Sequence, residues 1–262
     1  MTYATLLFDV KDHIARITLN RPEAVNSINL ESAEDLMKAL LHCDEDREIR
    51  AVVISGSGRL FCAGGDLKTF AAQGEHLPRY LKEAATYFHA GLSRLARMDP
   101  PVVAAVHGAA FGAGMSLALA CDIVIAAESA RFSVAYPSVG LTPEGSLSYF
   151  LPRLVGLKRA LELTLTNRIL SAKEALDWGL ITRVVPDKEL FSQADAIAVQ
   201  LAAGATKALG AAKRLMHGSW NETLETQMEN ESRAIADVAR TSDTREGIRA
   251  VIEKRSPKFK GI

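Results

Sequence analysis

Three groups of residues in this chain could do chemistry together. Residues 102–122 begin as a β-branched and alanine strand, turn through Gly108, Gly112 and Gly114, and continue into an apolar helix start at Met115 to Ala120. A strand that turns through glycines into a helix leaves backbone N–H groups unpaired, and the helix dipole behind them suits a negatively charged oxygen. The plainer alternative is a tight turn whose small residues only permit close packing. A second glycine turn, Phe61-Cys-Ala-Gly-Gly-Asp66-Leu67, also runs into a helix, with Asp66 a natural cap. Downstream lies an acid, Glu144, within Thr142-Pro-Glu-Gly-Ser146. Pro-Glu-Gly-Ser is itself a good helix start, so Glu144 also reads as an N-cap or first-turn acid.

The elements that must position these groups alternate along the chain. Residues 6–10 and 13–19 read as a hairpin around Lys11-Asp12. A helix follows over about 30–43, with Leu36, Met37, Leu40 and Leu41 on its inner face, then a buried strand at 51–55. Strand, helix and strand in that order imply a crossover and an α/β fold. Residues 68–98 read as helical, broken by Gly74 and Pro78, and carry Tyr80, Tyr87, Phe88 and His89, which either line a pocket or pack. Short strands are expected at 123–125 and 131–134. Beyond about 150 the chain turns mainly helical, near 157–166, 171–178, 187–203 and 206–217, with an amphipathic pair over 221–254 before a basic tail. These late helices read as a separate packing or oligomerisation layer.

Composition narrows the classes. The 262 residues are 48% hydrophobic and 24% charged with zero formal net charge, ordinary for a soluble domain and without a nucleic-acid or polybasic membrane footprint. Cys43, Cys62 and Cys121 are odd in number, sit in apolar surroundings and lack metal-ligand spacing, so buried free thiols and no metal site are expected. The first residues show no secretory pattern and no apolar run reaches membrane-spanning length, which makes a cytoplasmic protein the expectation. The glycines at 108–114 do not match a dinucleotide fingerprint.

Five motifs resemble the crotonase, or enoyl-CoA hydratase/isomerase, superfamily: Leu19-Asn-Arg-Pro22 with Asn26, Phe61-Cys-Ala-Gly-Gly-Asp66, Val106-His-Gly108 through Cys121-Asp122, Trp178-Gly179-Leu180, and Arg245-Glu-Gly247 with Glu253-Lys-Arg255. The resemblance covers nearly the whole chain. It implies an α/β spiral of repeated ββα units over 1–200, holding an acyl-CoA site, and a C-terminal helical region over 201–262 that builds a homotrimer or a dimer of trimers. It implies a coenzyme A thioester as substrate, with no separate cofactor. It also implies two backbone N–H donors for the thioester oxygen, by position Ala63 and Ala113. Losing one such donor typically costs roughly 3–4 kcal/mol. Coenzyme A contacts are implied at Arg21, Val25, Phe61, Ala63, Gly64, Gly65 and Asp66, and pocket positions at Ser116, Tyr136, His89 and Leu67.

Members of the superfamily differ in where they place acids. The hydratases carry two glutamates, whose positions here hold Ser116 and Tyr136, and neither can act as a carboxylate. Glu144 stands at a third position, and residues 140–149 are similar to Δ3,Δ2-enoyl-CoA isomerases, whose single base is a glutamate there; epoxide and dienoyl isomerases carry an aspartate. The resemblance therefore implies double-bond migration with Glu144 as the lone acid/base. Alternatives stay open. One is an aromatic or epoxide acyl-CoA isomerase. Another is a hydrolase resembling the 4-chlorobenzoyl-CoA dehalogenases, with His89 at their histidine's place; a third is a hydratase despite the replacements. Gly114-Met-Ser116 imitates a nucleophile elbow, which would need acid and histidine partners. A non-catalytic acyl-CoA binder is the alternative of a different class.

Overall fold

The computed structural model describes residues 2–262. Strands β1 (Leu6–Lys11) and β2 (Ile14–Leu19) form the expected hairpin, antiparallel in register Leu6↔Leu19 to Lys11↔Ile14. Its two-residue turn places Asp12 and His13 at φ 53° and 62°, the left-handed geometry that matches strand twist. Helix α1 (Leu30–Glu45) leads to β3 (Ala51–Gly56), which runs parallel to β2. Asn29 and Ser32 close a reciprocal capping box at the start of α1. Next come α2 (Leu67–Ala71), α3 (Leu77–Arg97), β4 (Val102–Val106), β5 (Ala109–Phe111) and α4 (Ala113–Ala120). They are followed by β6 (Ile123–Ala127), β7 (Arg131–Ser133), α5 (Leu147–Val155), α6 (Leu157–Thr166), β8 (Leu170–Ser171), α7 (Ala172–Asp177) and β9 (Arg183–Val185). Four helices end the chain: α8 (Leu190–Ala202), α9 (Thr206–Gly218), α10 (Leu224–Ala239) and α11 (Ser242–Ile252).

The strands form two sheets, one of six in the order β1-β2-β3-β4-β6-β9 and one of three in the order β5-β7-β8. The path between them is a spiral. β4 in the large sheet is followed by β5 in the small one, and β6 by β7. After β3, Cys62 makes a parallel bridge to Ala110 of β5, adding a third turn of the same kind. This is the α/β spiral of ββα units expected from the sequence. β4 is buried along its whole length, as is α4 on every side, as parallel strands and helices enclosed by other layers must be.

The C-terminal helical region is tied back by two cations. Lys213 of α9 meets Asp122 at 2.9 Å, and the same carboxylate oxygen accepts the Val102 amide at 2.8 Å. Burial raises the Asp122 carboxyl above its usual range, and Lys213 pulls it back only in part. Arg50, itself buried, donates to the carbonyls of Gly204 and Phe259. Several sequence expectations are corrected. Leu41 is exposed and Met37 only partly buried, because the inner stripe of α1 runs through Ala33, Leu36, Ala39, Leu40 and Cys43. Pro78 begins α3 instead of breaking it, since a first-turn proline gives up no helical bond. Helix α5 begins at the helix start read in Pro-Glu-Gly-Ser, with Ser146 and not Glu144 at its N-cap. No helix among the described residues is long and apolar enough to cross a membrane.

Candidate active site

The first wall of the site is a pair of glycine turns pressed together. Val25 and Asn26 adopt left-handed backbone at φ 50° and 55°. The Asn26 amide donates to the carbonyls of Ser57 and Leu60 and its oxygen accepts the Arg21 N–H, all at 2.8–2.9 Å. This staple lays residues 25–28 beside the 61–66 turn. The Ala63 N–H then donates to Val25 O at 3.1 Å, Ile28 N to Gly64 O at 2.7 Å, and Asp66 N to Ile28 O at 2.9 Å. Residues 64 and 66 face Ile28, so Gly65 between them faces the other way, and its N–H has no partner among the described residues. On the opposing turn, Gly112 at φ 49° donates its N–H to Ser133 O and starts α4. The Ala113 N–H, at the first helical position, is unpaired. A Cβ at Gly114 would stand 2.5 Å from Cys62 O, so only glycine lets the turns meet this closely.

Gly65 and Ala113 both line one cavity of about 250 Å³. Ala113 stands where the sequence placed a donor. Ala63 does not fit that role, because its N–H is spent on Val25; Gly65 supplies the free donor instead. The signal lay in strand alternation against residue 28, a pairing that the local motif does not contain.

The second wall carries Glu144, which lines the same cavity with Tyr136, Phe70 and Phe88. Glu144 precedes α5, whose N-cap is Ser146, so its carboxylate caps no helix. Two successive left-handed residues, Gly145 at φ 62° and Ser146 at φ 63°, turn the loop back onto α3 and α4. A Cβ on Gly145 would fall 2.7 Å from the Phe88 ring and 2.9 Å from the Ser116 Cβ. The loop is therefore seated where a side chain longer than serine at 116 would have to stand.

Glu144 is held on both oxygens. The Tyr136 hydroxyl donates to Oε1 at 2.8 Å, and His89 Nε2 lies 2.9 Å from Oε2. Ser116 Oγ donates to the Glu144 backbone carbonyl at 2.9 Å and lies 3.1 Å from the Tyr136 hydroxyl. Burial, with Glu144 nearby, pushes the Tyr136 phenol well above its usual range, so it stays a donor. The bond to Glu144 raises His89 above the usual imidazole range, against the opposing effect of burial. Ser116, Tyr136, His89 and Glu144 are thus brought together, but of the expected pocket positions Tyr136 alone lines this cavity, while His89 lines a neighbouring hollow and Leu67 an adjoining groove. Ser116 is buried beneath Tyr136 and outside the cavity lining. No histidine bonds its hydroxyl among the described residues, so the nucleophile-elbow alternative has no activated serine.

The expected coenzyme A contacts divide. Ala63, Gly64, Gly65 and Leu67 line a groove that adjoins the cavity and shares Gly65, Phe70, Tyr136 and Leu141 with it. Arg21 is not free to meet phosphates: its guanidinium donates to Asp66 at 2.8 Å and to Ser27 O at 2.6 Å in a largely buried pair. Asp66 also caps α2 through Thr69 N at 3.1 Å. Burial opposes its ionisation, but the bonds from Arg21 and Thr69 outweigh burial and hold the carboxyl below its usual range. Phe61 is fully buried, a core residue and not a ligand contact. Val25 acts through its carbonyl, as the acceptor for Ala63. Burial pushes the Cys62 thiol up to about 12, which leaves it inert. The described residues contain no cluster of three or more side chains suited to a metal.

An unpaired N–H pair facing a single carboxylate across a small apolar cavity suits a carbonyl compound that loses a proton beside its carbonyl. Known proteins similar to this chain carry the names of enzymes of coenzyme A thioesters. The family profile described as enoyl-CoA hydratase/isomerase matches residues 9–262. A Rhodobacter capsulatus protein named "Probable enoyl-CoA hydratase" is 40% identical over 261 residues, covering 100% of both chains. The 1,2-epoxyphenylacetyl-CoA isomerase of Escherichia coli is 39% identical over 258 residues, 98% of each. The solved enoyl-CoA hydratase of Bacillus anthracis superposes with a TM-score of 0.92 at 35% identity, over 98% of this chain and 100% of that one. This chain belongs to the enoyl-CoA hydratase/isomerase family, and its fold is the crotonase fold.

Proposed function

We propose that the protein is an enoyl-CoA isomerase, moving a double bond through a dienolate with Glu144 as its single acid and base. One observation carries this reading. Among the described residues, Glu144 is the only carboxylate lining the cavity shared by the Gly65 and Ala113 amides, while the two hydratase positions hold Ser116 and Tyr136. The thioester oxygen would accept both amides, which acidifies C2 by stabilising the negative oxygen that forms. Glu144 takes the C2 proton and returns a proton at C4. Tyr136 and Ser116 keep the carboxylate in place. In the same reading the substrate is an acyl-CoA and no separate cofactor takes part. Residues 1–200 form the acyl-CoA core and 201–262 the trimerising region, the latter supported by exposed Leu224, Met228, Ile235, Ile248 and Val251 on α10 and α11. Three buried free thiols support a reducing, cytoplasmic setting.

Glu144→Gln tests this reading. Turnover of trans-3-hexenoyl-CoA is expected to fall by roughly 10²–10⁴-fold while acyl-CoA affinity, measured by calorimetry, stays within a few-fold. Unchanged turnover would refute it, and a wild-type protein that binds acyl-CoA without converting any would be a binder. The pairing of His89 with Glu144 at 2.9 Å favours a second reading, attack by Glu144 on an aryl carbon with His89 activating water for hydrolysis. Chloride release from 4-chlorobenzoyl-CoA would support that one.

A further inference from the structure

A hollow of about 620 Å³ lies between α3, α5 and α9, beside the loop that carries Glu144. It shares no lining residue with the acyl cavity. Leu92, Ala96 and Phe150 give it an apolar floor, while His89, Arg97, Arg214 and His217 line it with nitrogen groups. No carboxylate lines it among the described residues. Cations and N–H donors gathered around one space without an acid select an anion.

These groups are largely unspent. The Arg97 guanidinium has no hydrogen-bond or ion-pair partner among the described residues; its carbonyl, not its side chain, accepts from Arg214 at 2.9 Å. Arg214 commits one nitrogen to that carbonyl and to Asp99 at 2.6 Å, and its other two are unpaired among the described residues. Asp99 is itself engaged by Lys207 at 2.6 Å. His89 holds Glu144 Oε2 through Nε2 at 2.9 Å, and its Nδ1 has no partner among the described residues. Burial holds His217 below the usual imidazole range, so it lines the hollow as a neutral ring.

We propose that this hollow binds a small monocarboxylate with an apolar body, its carboxylate on Arg97 and Arg214 and its body on Leu92, Ala96 and Phe150. Guanidinium groups match a carboxylate fork to fork, and the floor takes the apolar body out of water. A volume of about 620 Å³ falls within the range of small-molecule sites. The site reaches Glu144 through His89. An anion beside Nδ1 favours the charged imidazole, whose Nε2–H then holds Glu144 Oε2 as an ion pair and makes the carboxylate a weaker base. The other titratable and charged groups facing His89 are Arg97 on its own helix, Tyr149 on α5, and Arg214 and His217 on α9. In the isomerase reading the occupied site slows turnover, and this consequence alone rests on that reading.

The test is binding of hexanoate to the whole protein, followed by NMR of the assigned His217 and His89 rings in the wild type and in Arg97→Gln. The substitution keeps the carbonyl that holds Arg214 and changes only an exposed side chain, so Tm should not move. Saturable movement of the His217 ring is expected, with affinity lower by roughly tenfold in the variant. A His217 ring that does not move, or equal affinity in both proteins, would overturn the site. So would movement of His89 alone, which places hexanoate in the acyl cavity. Inorganic phosphate binding as tightly as hexanoate would overturn the choice of an apolar carboxylate. Hexanoate should also lower kcat on trans-3-hexenoyl-CoA in the wild type and less so in Arg97→Gln; equal inhibition of both would overturn the coupling through His89. A wild type that isomerises nothing would count against the isomerase reading, and the binding result would still decide the site.

Discussion

The two walls of the cavity are built from different materials. The wall of Gly65 and Ala113 is backbone, fixed by the Asn26 staple, the Ile28 bridges and the contact between Gly114 and Cys62. The two donors it offers are main-chain amides and not ionisable side chains. The wall of Glu144, Tyr136 and His89 is all side chain, set on a loop with two left-handed residues and open to solvent at His89. Stabilising a negative oxygen requires only donors that do not move, which a buried fold provides. Choosing where a proton goes requires a group of the right type at one position, and a loop supplies that without disturbing the core. In the proposed reading the first wall holds the thioester oxygen and the second moves the proton.

Substitutions can break this contrast, taken here from the largest effect to the smallest. Ala113→Pro removes one donor at a helix position that tolerates proline, so kcat should fall by roughly 10²–10³-fold with little change in Tm. An equal kcat would show that the amide is not used. Ser116→Glu restores a hydratase acid but sets it against the Gly145 loop. Thermal unfolding should show Tm lower by roughly 5 °C or more without gain of crotonyl-CoA hydration; a stable, hydrating variant would mean the loop yields. Tyr136→Phe frees Oε1 and should cost roughly tenfold in kcat, leaving acyl-CoA affinity unchanged by calorimetry.

The smallest effect concerns the frame of the first wall. Asp66 has a lowered carboxyl, so its contribution to stability is present above the unfolded Asp pKa and is lost as pH falls through the lower folded value. Asp66→Asn should therefore lower Tm by roughly 2–4 °C at pH 7. The gap from wild type should close as acid protonates Asp66 in both folded and unfolded chains. A gap that persists in acid would point to lost geometry and not lost charge.

What the sequence revealed follows the range of the interactions involved. The hairpin, the Asp66 cap and the glycine turns are local, and the residues that form them lie within a few positions of each other. The choice between Ala63 and Gly65 was not legible locally, because it depends on which residues pair with Ile28 across a turn. Arg21 reads as a free cation until Asp66, 45 residues away, is folded against it. The pairing of His89 with Glu144 spans 55 residues; the position of each was visible, and their contact was not. Leu41 was misplaced because the buried stripe of α1 is carried partly by alanines, which a count of large apolar residues overlooks.

The most direct measurement is a paired spectroscopic assay of the purified protein on trans-3-hexenoyl-CoA and crotonyl-CoA. With one carboxylate in the cavity, the expected result is steady conversion of the first to the 2-enoyl thioester and little hydration of the second. Efficient hydration of crotonyl-CoA with no isomerisation of the 3-enoyl thioester would contradict Glu144 as a lone proton shuttle.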